Sequence, residues 1–195
     1  MGAPPAGAGV DERTLSLDGL QEVFGGRRPT GIRGTRTGRE WEAGVLVALF
    51  DDPEGTGPHV VLTRRSPRLA SHTHEVSFPG GRHDPDDADL WTTALREAKE
   101  EIGLDPSLPR LLGRLDPVVT VGSGSLIQPF VAVLGGSPEL EPKPDEVEAV
   151  RIVALSELVR DEVYREEIWP RAEGPWSITF FELEGDTVWG ATAAM

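Results

Sequence analysis

Three glutamates lie within five positions of one another in the run Leu95-Arg96-Glu97-Ala98-Lys99-Glu100-Glu101-Ile102-Gly103-Leu104. On a helix turning about 100° per residue, Glu100 falls about 60° to one side of Glu97 and Glu101 about 40° to the other, so the three carboxylates share one face. Carboxylates this close repel one another unless cations sit between them, and hard oxygen donors suit Mg²⁺ or Mn²⁺. Arg96 stands beside them as a cation that could orient them through charge-assisted hydrogen bonds. A Glu-rich helix face can also be simply solvated, and Arg96 simply a surface ion pair. The Gly80-Gly81 pair upstream, which reads as a turn feeding the helix, and Gly103 immediately downstream favour the chemical reading.

The elements that must carry these residues are legible in the same stretch. Trp91, Leu95, Ala98 and Ile102 recur at i, i+4, i+7 and i+11, a core face opposite the acidic one, so the pattern predicts an amphipathic helix from about Ala88 to Glu101. Gly103 takes its C-terminal capping position. Gly44 to Phe50 is a continuous apolar run of the buried-strand type, and His59 to Thr63 reads as its hairpin partner across a turn-rich Asp51 to Pro58. Glu75 to Phe78 is a short strand ending at Pro79. Leu111 to Val121 and Ser125 to Leu134 read as strands joined by Gly122-Ser123-Gly124, followed by an acidic, proline-bearing loop from Pro138 to Asp145. Val147 to Leu155 is a further strand, Glu157 to Ile168 a second helix, and Ser177 to Leu183 a last strand. Thr187 to Met195 begins like a helix and stops, which suggests a segment continuing past Met195. Leu15, Leu17, Leu20, Val23 and Phe24 predict a short amphipathic helix ending at Gly25-Gly26. Strands on both sides of a central helix give a mixed sheet between helices, α/β by pattern.

Composition bounds the rest. At 195 residues the chain suits one domain with a sizeable core. The Gly-, Ala- and Pro-rich residues 1–12 are expected to be a disordered tail, and residues 13–195 one domain. A net charge of −14 argues against holding nucleic acid by phosphate neutralisation. It leaves room for a small phosphorylated substrate, because a bound divalent cation reverses the local field. With no cysteine, disulfides, thiolate metal sites and cysteine nucleophiles are excluded. The sequence has neither a membrane-length apolar run nor an export pattern, so no membrane association and a cytoplasmic location are expected.

The stretch from Gly81 to Leu104 resembles the Nudix box, in which a glycine and an acidic residue precede R-E-x-x-E-E-x-G and an apolar residue. Arg96 to Leu104 matches that last part position for position. Upstream, Asp87 stands where the family usually has glutamate, and Arg96 lies one residue further on than the common spacing. The resemblance implies an α/β/α sandwich with a mixed sheet between helices and a Mg²⁺- or Mn²⁺-dependent hydrolase of nucleoside diphosphates linked to another group. It also implies Glu97, Glu100 and Glu101 as metal ligands, with the Gly81 carbonyl as an additional one, and Arg96 as their orienter. The catalytic base would be a glutamate of the box or a later one, Glu146 or Glu148.

Val61-Leu62-Thr63-Arg64-Arg65-Ser66 followed by Phe78-Pro79-Gly80-Gly81 resembles the upstream signature of the coenzyme A pyrophosphatase branch, L-L-T-x-R-S and then F-P-G-G, at matching distance. The longer gap before Arg96 also resembles that branch, and weaker similarity runs through Ser123 to Leu134 and Val188 to Ala193. The signature's arginine is replaced by Ala70 and its glycine by His74, with Arg65 and Arg68 close enough to compensate. Substrate-binding candidates are therefore Arg65, Ser66, Arg68, His74 and Phe78. The implied reaction splits coenzyme A or an acyl derivative into 4′-phosphopantetheine and adenosine 3′,5′-bisphosphate. ADP-ribose or NADH hydrolysis, and a catalytically silent nucleotide-binding domain, are the alternatives. The expected partner is a small nucleotide-derived molecule, with a homodimer as the expected assembly. His72, His74 and His83, close to the motif in sequence, could touch phosphate or a base, but isolated loop histidines are more often incidental.

Overall fold

The computed structural model describes residues 16–25, 29–34, 41–69, 73–121, 123–170 and 174–195. The expected tail, Ala70, His72 and much of the basic segment between Arg27 and Arg39 lie outside these residues. Helix α1 (Leu17–Gly25) precedes strands β1 (Glu42–Asp51), β2 (Pro58–Arg65), β3 (Val76–Ser77) and β4 (Gly80–Arg82). Helix α2 (Leu90–Ile102) leads to β5 (Arg110–Arg114), β6 (Val118–Val119), β7 (Leu126–Val133) and β8 (Val147–Ala154). Then come α3 (Leu155–Leu158), β9 (Tyr164–Trp169), β10 (Trp176–Leu183), β11 (Asp186–Trp189) and α4 (Gly190–Ala194).

Among the described residues, β1 to β8 form one mixed sheet and β9 to β11 a second, antiparallel one. The apolar run of β1 is buried on both faces because alternate residues enter different cores. Leu46, Ala48 and Phe50 join Ala98 and Ile102 of α2, with Trp91 and Leu95 packed alongside, while Val47 and Leu49 face the opposite way. That second core receives Leu20 and Phe24 of α1, Val188 of β11 and Ala193 of α4, which places helices on both faces of the sheet. The predicted apolar face of α2 is thus its packing face, and the Trp91 ring lies 5.5 Å from that of Phe130.

The β1–β2 hairpin is paired over only three rungs, Leu49↔Val60 to Asp51↔Pro58. Away from the turn the strands part: the start of β1 pairs with β4 and the end of β2 with β3, while β7 runs along the other edge of β1 and β8 along the other edge of β2. The chain from β3 to β4 crosses this opening, and the site described below forms around it.

Helix α2 starts at Leu90, where the Asp89 side chain caps it by accepting the Thr92 N–H at 2.8 Å. Gly103 closes it with φ 69°, its N–H donating to the Lys99 carbonyl. Gly44 lets α2 lie close on the sheet, and Gly81 leaves room for the Glu97 carboxylate. A Cβ on Gly44 would run into the Leu90 carbonyl, and one on its strand partner Gly81 would come within 2.5–2.7 Å of the Glu97 carboxylate.

Four expectations are corrected. Glu157 to Ile168 is not a helix: α3 lasts four residues and Tyr164–Trp169 is β9. The apolar spacing there suits a helix, but β10 offers a full antiparallel partner from Phe181↔Tyr164 to Trp176↔Trp169, and that pairing prevails over local periodicity. Thr187 to Met195 opens as strand β11, and only Gly190–Ala194 is helical. Leu111 to Val121 breaks into β5 and β6 at Pro117, which lacks an N–H for the ladder, beside Asp116, whose carboxylate accepts from the Thr30 N–H and hydroxyl. The Gly80-Gly81 pair forms part of strand β4 instead of a turn.

Gly44→Ala is expected to lose about 2 kcal/mol or more of stability in urea titration through the clash with the first turn of α2. Gly135→Ala, where nothing lies within 4 Å of the added carbon, serves as the control. Equal midpoints for the two variants would contradict the close packing of α2 on β1.

Candidate active site

Arg96 is the hub of the acidic face. Its Nε and Nη2 donate to the two carboxylate oxygens of Asp87 at 3.0 and 3.1 Å, and Nη2 also donates to the Arg82 carbonyl at 3.1 Å. Nη1 lies 3.0 Å from Glu97 Oε1 and 3.1 Å from Glu100 Oε2. The Asp87 side chain is only 5% exposed and accepts further hydrogen bonds from the Thr93 hydroxyl and the Asp84 N–H. The guanidinium of Arg96 holds the Asp87 carboxyl far below the usual carboxylate range, against the opposing effect of desolvation. Arg96 is fixed in turn, its own pKa raised by the Asp87 hydrogen bond.

The three glutamates of α2 differ in burial: the Glu100 side chain is 48% exposed, Glu97 18% and Glu101 8%. Glu101 accepts the Gly80 N–H at 3.1 Å and lies 3.9 Å from Arg65 Nη1, a long contact that compensates its charge weakly. Burial pushes the Glu101 carboxyl up to about 7, the Gly80 hydrogen bond opposing this and the charges of Glu97 and Glu146 adding to it. Burial also raises Glu97, opposed by Arg96 and reinforced by Glu100 and Glu146. The acidic face therefore carries more negative charge than its one close guanidinium offsets.

Among the described residues, no three Asp, Glu or His side chains already converge as a cation site. Arg96 draws Glu97 and Glu100 to itself, while the Gly80 N–H and Arg65 hold Glu101. The donor set nonetheless fits a hard divalent cation: carboxylate oxygens on one helix face, with the bare backbone of Gly81 pressed against Glu97 where any side chain would intrude. A cation here would have to compete with Arg96 for Glu97 and Glu100.

Other expected residues are spread over several parts of the fold. Glu146 is brought to this face, its carboxylate 2.7 Å from Lys143 Nζ and its charge felt at Glu97 and Glu101. Arg65 also points here, with its buried Nε lacking a hydrogen-bond partner. Ser66 is 1% exposed and anchors the following loop, its hydroxyl donating to the Pro144 carbonyl at 2.9 Å and its N–H to the Glu146 carbonyl. Arg68 pairs with Asp145 at 2.7 Å on the exposed side of the same loop. Phe78 packs into the second core.

His74 lies elsewhere, on a charged cleft of about 760 Å³ between β2, β8 and the β10–β11 hairpin. Its Nδ1 is 2.9 Å from Glu148, which also pairs with Arg64 at 3.2 Å. Glu148 thus belongs to this cleft, away from the acidic helix face. Asp186, 3% exposed, ties the hairpin to the main sheet through Arg64 at 3.2 Å and Arg151 at 2.7 Å. His83 contacts the Thr93 hydroxyl at 3.0 Å, beside Asp87.

Asp87 as the partner of Arg96 and Lys143 as the partner of Glu146 were the members that spacing alone left undefined. Thr93 was a usable signal, because on the helix it sits one turn before Glu97 and Arg96 and faces back towards Asp87.

A family model described as the NUDIX domain matches residues 41–172. Nudix hydrolase 15, mitochondrial, of Arabidopsis thaliana is 38% identical over 159 residues, covering 78% of this chain and 55% of that protein. The chain thus spans about half the length of this plant relative. An uncharacterized Nudix hydrolase NudL of Klebsiella pneumoniae is 34% identical over 184 residues, covering 94% of this chain and 93% of the relative. Among solved structures, the Nudix hydrolase RenU of M. smegmatis aligns with a TM-score of 0.51 at 20% identity, over 62% of this chain and 73% of that one. The NUDIX domain of Shewanella oneidensis NrtR, solved with ADP ribose, aligns with a TM-score of 0.50 at 17% identity, over 71% and 84%. The fold, the acidic helix beside Gly81 and the match over residues 41–172 together make this chain a member of the Nudix hydrolase family.

Proposed function

We propose that the chain is a Mg²⁺- or Mn²⁺-dependent pyrophosphohydrolase acting on coenzyme A or an acyl derivative of it. The observation that carries the reaction class is the set of under-compensated carboxylates, Glu97, Glu100 and Glu101, packed against the bare backbone of Gly81. These residues, with the Gly81 carbonyl, would hold the cation, and Arg96 braced by Asp87 fixes where Glu97 and Glu100 can reach. When bound, the cation neutralises charge on the phosphoryl oxygens and lowers the pKa of a bound water. Water oxygen attacks one phosphorus, the bridging phosphorus–oxygen bond breaks, and a carboxylate takes the proton. Glu146 is the assigned base, since it reaches the face from a separate loop, with Glu97 or Glu100 as the alternative within the helix.

Support for the coenzyme A branch comes from the segment before the box. The signature there has a glycine, and His74 in its place takes φ 61°. A left-handed conformation strains a residue with a Cβ by about 1–2 kcal/mol, so this chain keeps the glycine-like backbone despite the substitution. The strain is offset by the Glu148 contact and by the His74 N–H donating to the Arg65 carbonyl at 3.1 Å. Arg65 and Arg68 remain the cations assigned to substrate phosphate. NADH and ADP-ribose hydrolysis are the competing activities, and nucleotide binding without turnover the competing class.

Comparing kcat/KM for coenzyme A, NADH and ADP-ribose with Mg²⁺ tests the substrate, coenzyme A being expected to lead; a clear preference for either other compound would remove it. Glu100→Gln and Glu101→Gln are each expected to lower kcat by about 100-fold or more while the fold persists by circular dichroism. Unchanged rates would mean that the acidic face is not the reactive one.

Glu101 also gives a stability signature in metal-free protein. Its folded pKa of about 7 stands above its ordinary 4.5, so the folded state binds more protons than the unfolded state between those values. Stability is therefore greatest below pH 4.5 as far as this group is concerned, and is lost as pH rises towards 7. Glu101→Gln should flatten the decline in Tm between pH 5 and 8, and Mg²⁺ should raise Tm most at the alkaline end; parallel Tm profiles for the two proteins would refute the assignment.

A further inference from the structure

Glu146, the base assigned above, sits on a turn whose backbone is fixed from both sides. The Lys143 N–H donates at 2.9 Å to the carbonyl of Glu101, in the last turn of α2, and the Glu146 N–H donates at 2.9 Å to the Lys143 carbonyl. Pro144 takes the second position of that four-residue turn, where its fixed φ suits the bend. From the opposite side Ser66 holds the next carbonyls, its hydroxyl donating to Pro144 and its N–H to Glu146, each at 2.9 Å. The turn is thereby locked against the acidic face, and it carries two side chains there.

The second of these is Lys143. Its Nζ lies 2.7 Å from Glu146 Oε1, and this contact, with a smaller contribution from Glu100, holds it in the ammonium form. The side chain is 52% exposed, and an exposed ion pair of this kind adds little to stability. An ammonium has three N–H groups, so Glu146 leaves two of them for a ligand. Glu146 in turn keeps Oε2, which accepts no hydrogen bond among the described residues. Arg96, by contrast, is committed to Asp87, the Arg82 carbonyl, Glu97 and Glu100.

We infer that Lys143 binds the diphosphate of the substrate while keeping Glu146 in line, one N–H on a phosphoryl oxygen and another on Oε1, so that Oε2 faces the attacking water. The inference rests on the pyrophosphohydrolase reading with Glu146 as base, and holds for any nucleotide derivative that the site cleaves. A diphosphate and a carboxylate repel each other, and an ammonium between them lets both approach one water. The proton of that water ends on Oε2, and Lys143 neither gains nor loses one.

The test uses Lys143→Met and Lys143→Arg in the full chain, since neither change touches the backbone bonds of the turn. Methylenediphosphonate, whose carbon bridge resists hydrolysis, is titrated calorimetrically with Mg²⁺ present. In parallel, kcat and KM are measured on whichever of coenzyme A, NADH and ADP-ribose is cleaved fastest. Lys143→Met is expected to weaken methylenediphosphonate binding and raise KM about tenfold, and to lower kcat about tenfold, with Lys143→Arg restoring most of the affinity. In a Glu146→Gln background, Lys143→Met should still raise KM but no longer lower kcat, because the base that it aligns is gone. Unchanged affinity and KM in Lys143→Met overturn the inference and leave the hydrolase reading standing. So does a kcat loss that persists undiminished in the Glu146→Gln background. No cleavage of any of the three compounds by the unaltered protein overturns the hydrolase reading and this inference with it.

Discussion

One guanidinium governs the acidic face. Three glutamates on a single helix face, two of them largely buried, would repel one another and the rest of the fold, and Arg96 is the cation placed among them. It can serve there because Asp87 takes two of its N–H groups in a two-point grip and the Arg82 carbonyl takes another contact. The grip fixes the guanidinium plane, and the plane fixes where Glu97 and Glu100 lie. Asp87 is thus more than a shorter substitute for glutamate. Its burial, its bonds to Thr93 and Asp84, and the strongly lowered pKa all follow from holding Arg96 still.

The second constraint is steric. Helix α2 carries its carboxylates to the right place only by approaching the sheet at Gly44, where a Cβ would meet its first-turn backbone, while a side chain on the strand partner Gly81 would push the Glu97 carboxylate aside. The parting of β1 from β2 then lets the β3–β4 crossing enter the sheet and present the Gly80 N–H to Glu101. The crossing brings Gly80 to Glu101, while Val76 and Ser77 ahead of it line a cavity together with α4. Burial of Glu101 without a close cation leaves it short of compensation at neutral pH, a debt that a divalent cation would settle.

Periodicity carried much of this into view. The i, i+4, i+7, i+11 spacing from Trp91 to Ile102 identified both faces of α2, and Gly103 marked its end. The apolar run of β1 signalled burial on both sides. Local pattern failed where a distant partner decided the outcome, as for Tyr164–Trp169, whose helical spacing yields to pairing with β10. Residue type suggested site members that geometry redistributes. Ser66 turned out to be an anchor for the Pro144–Glu146 loop, and His74 belongs with Glu148 and Arg64. The role of Asp87 and the cavity walls were out of reach because both depend on residues joined only by the folded topology.

The central claim is that the acidic face of α2 binds a divalent cation in competition with Arg96. Titration of metal-free protein with Mn²⁺, followed by electron paramagnetic resonance of the free ion, tests it most directly. Saturable binding in the wild type, weakened at least about tenfold by Glu97→Gln and by Glu100→Gln, is the predicted result. Mn²⁺ binding that both substitutions leave unchanged would place the cation elsewhere and contradict the account.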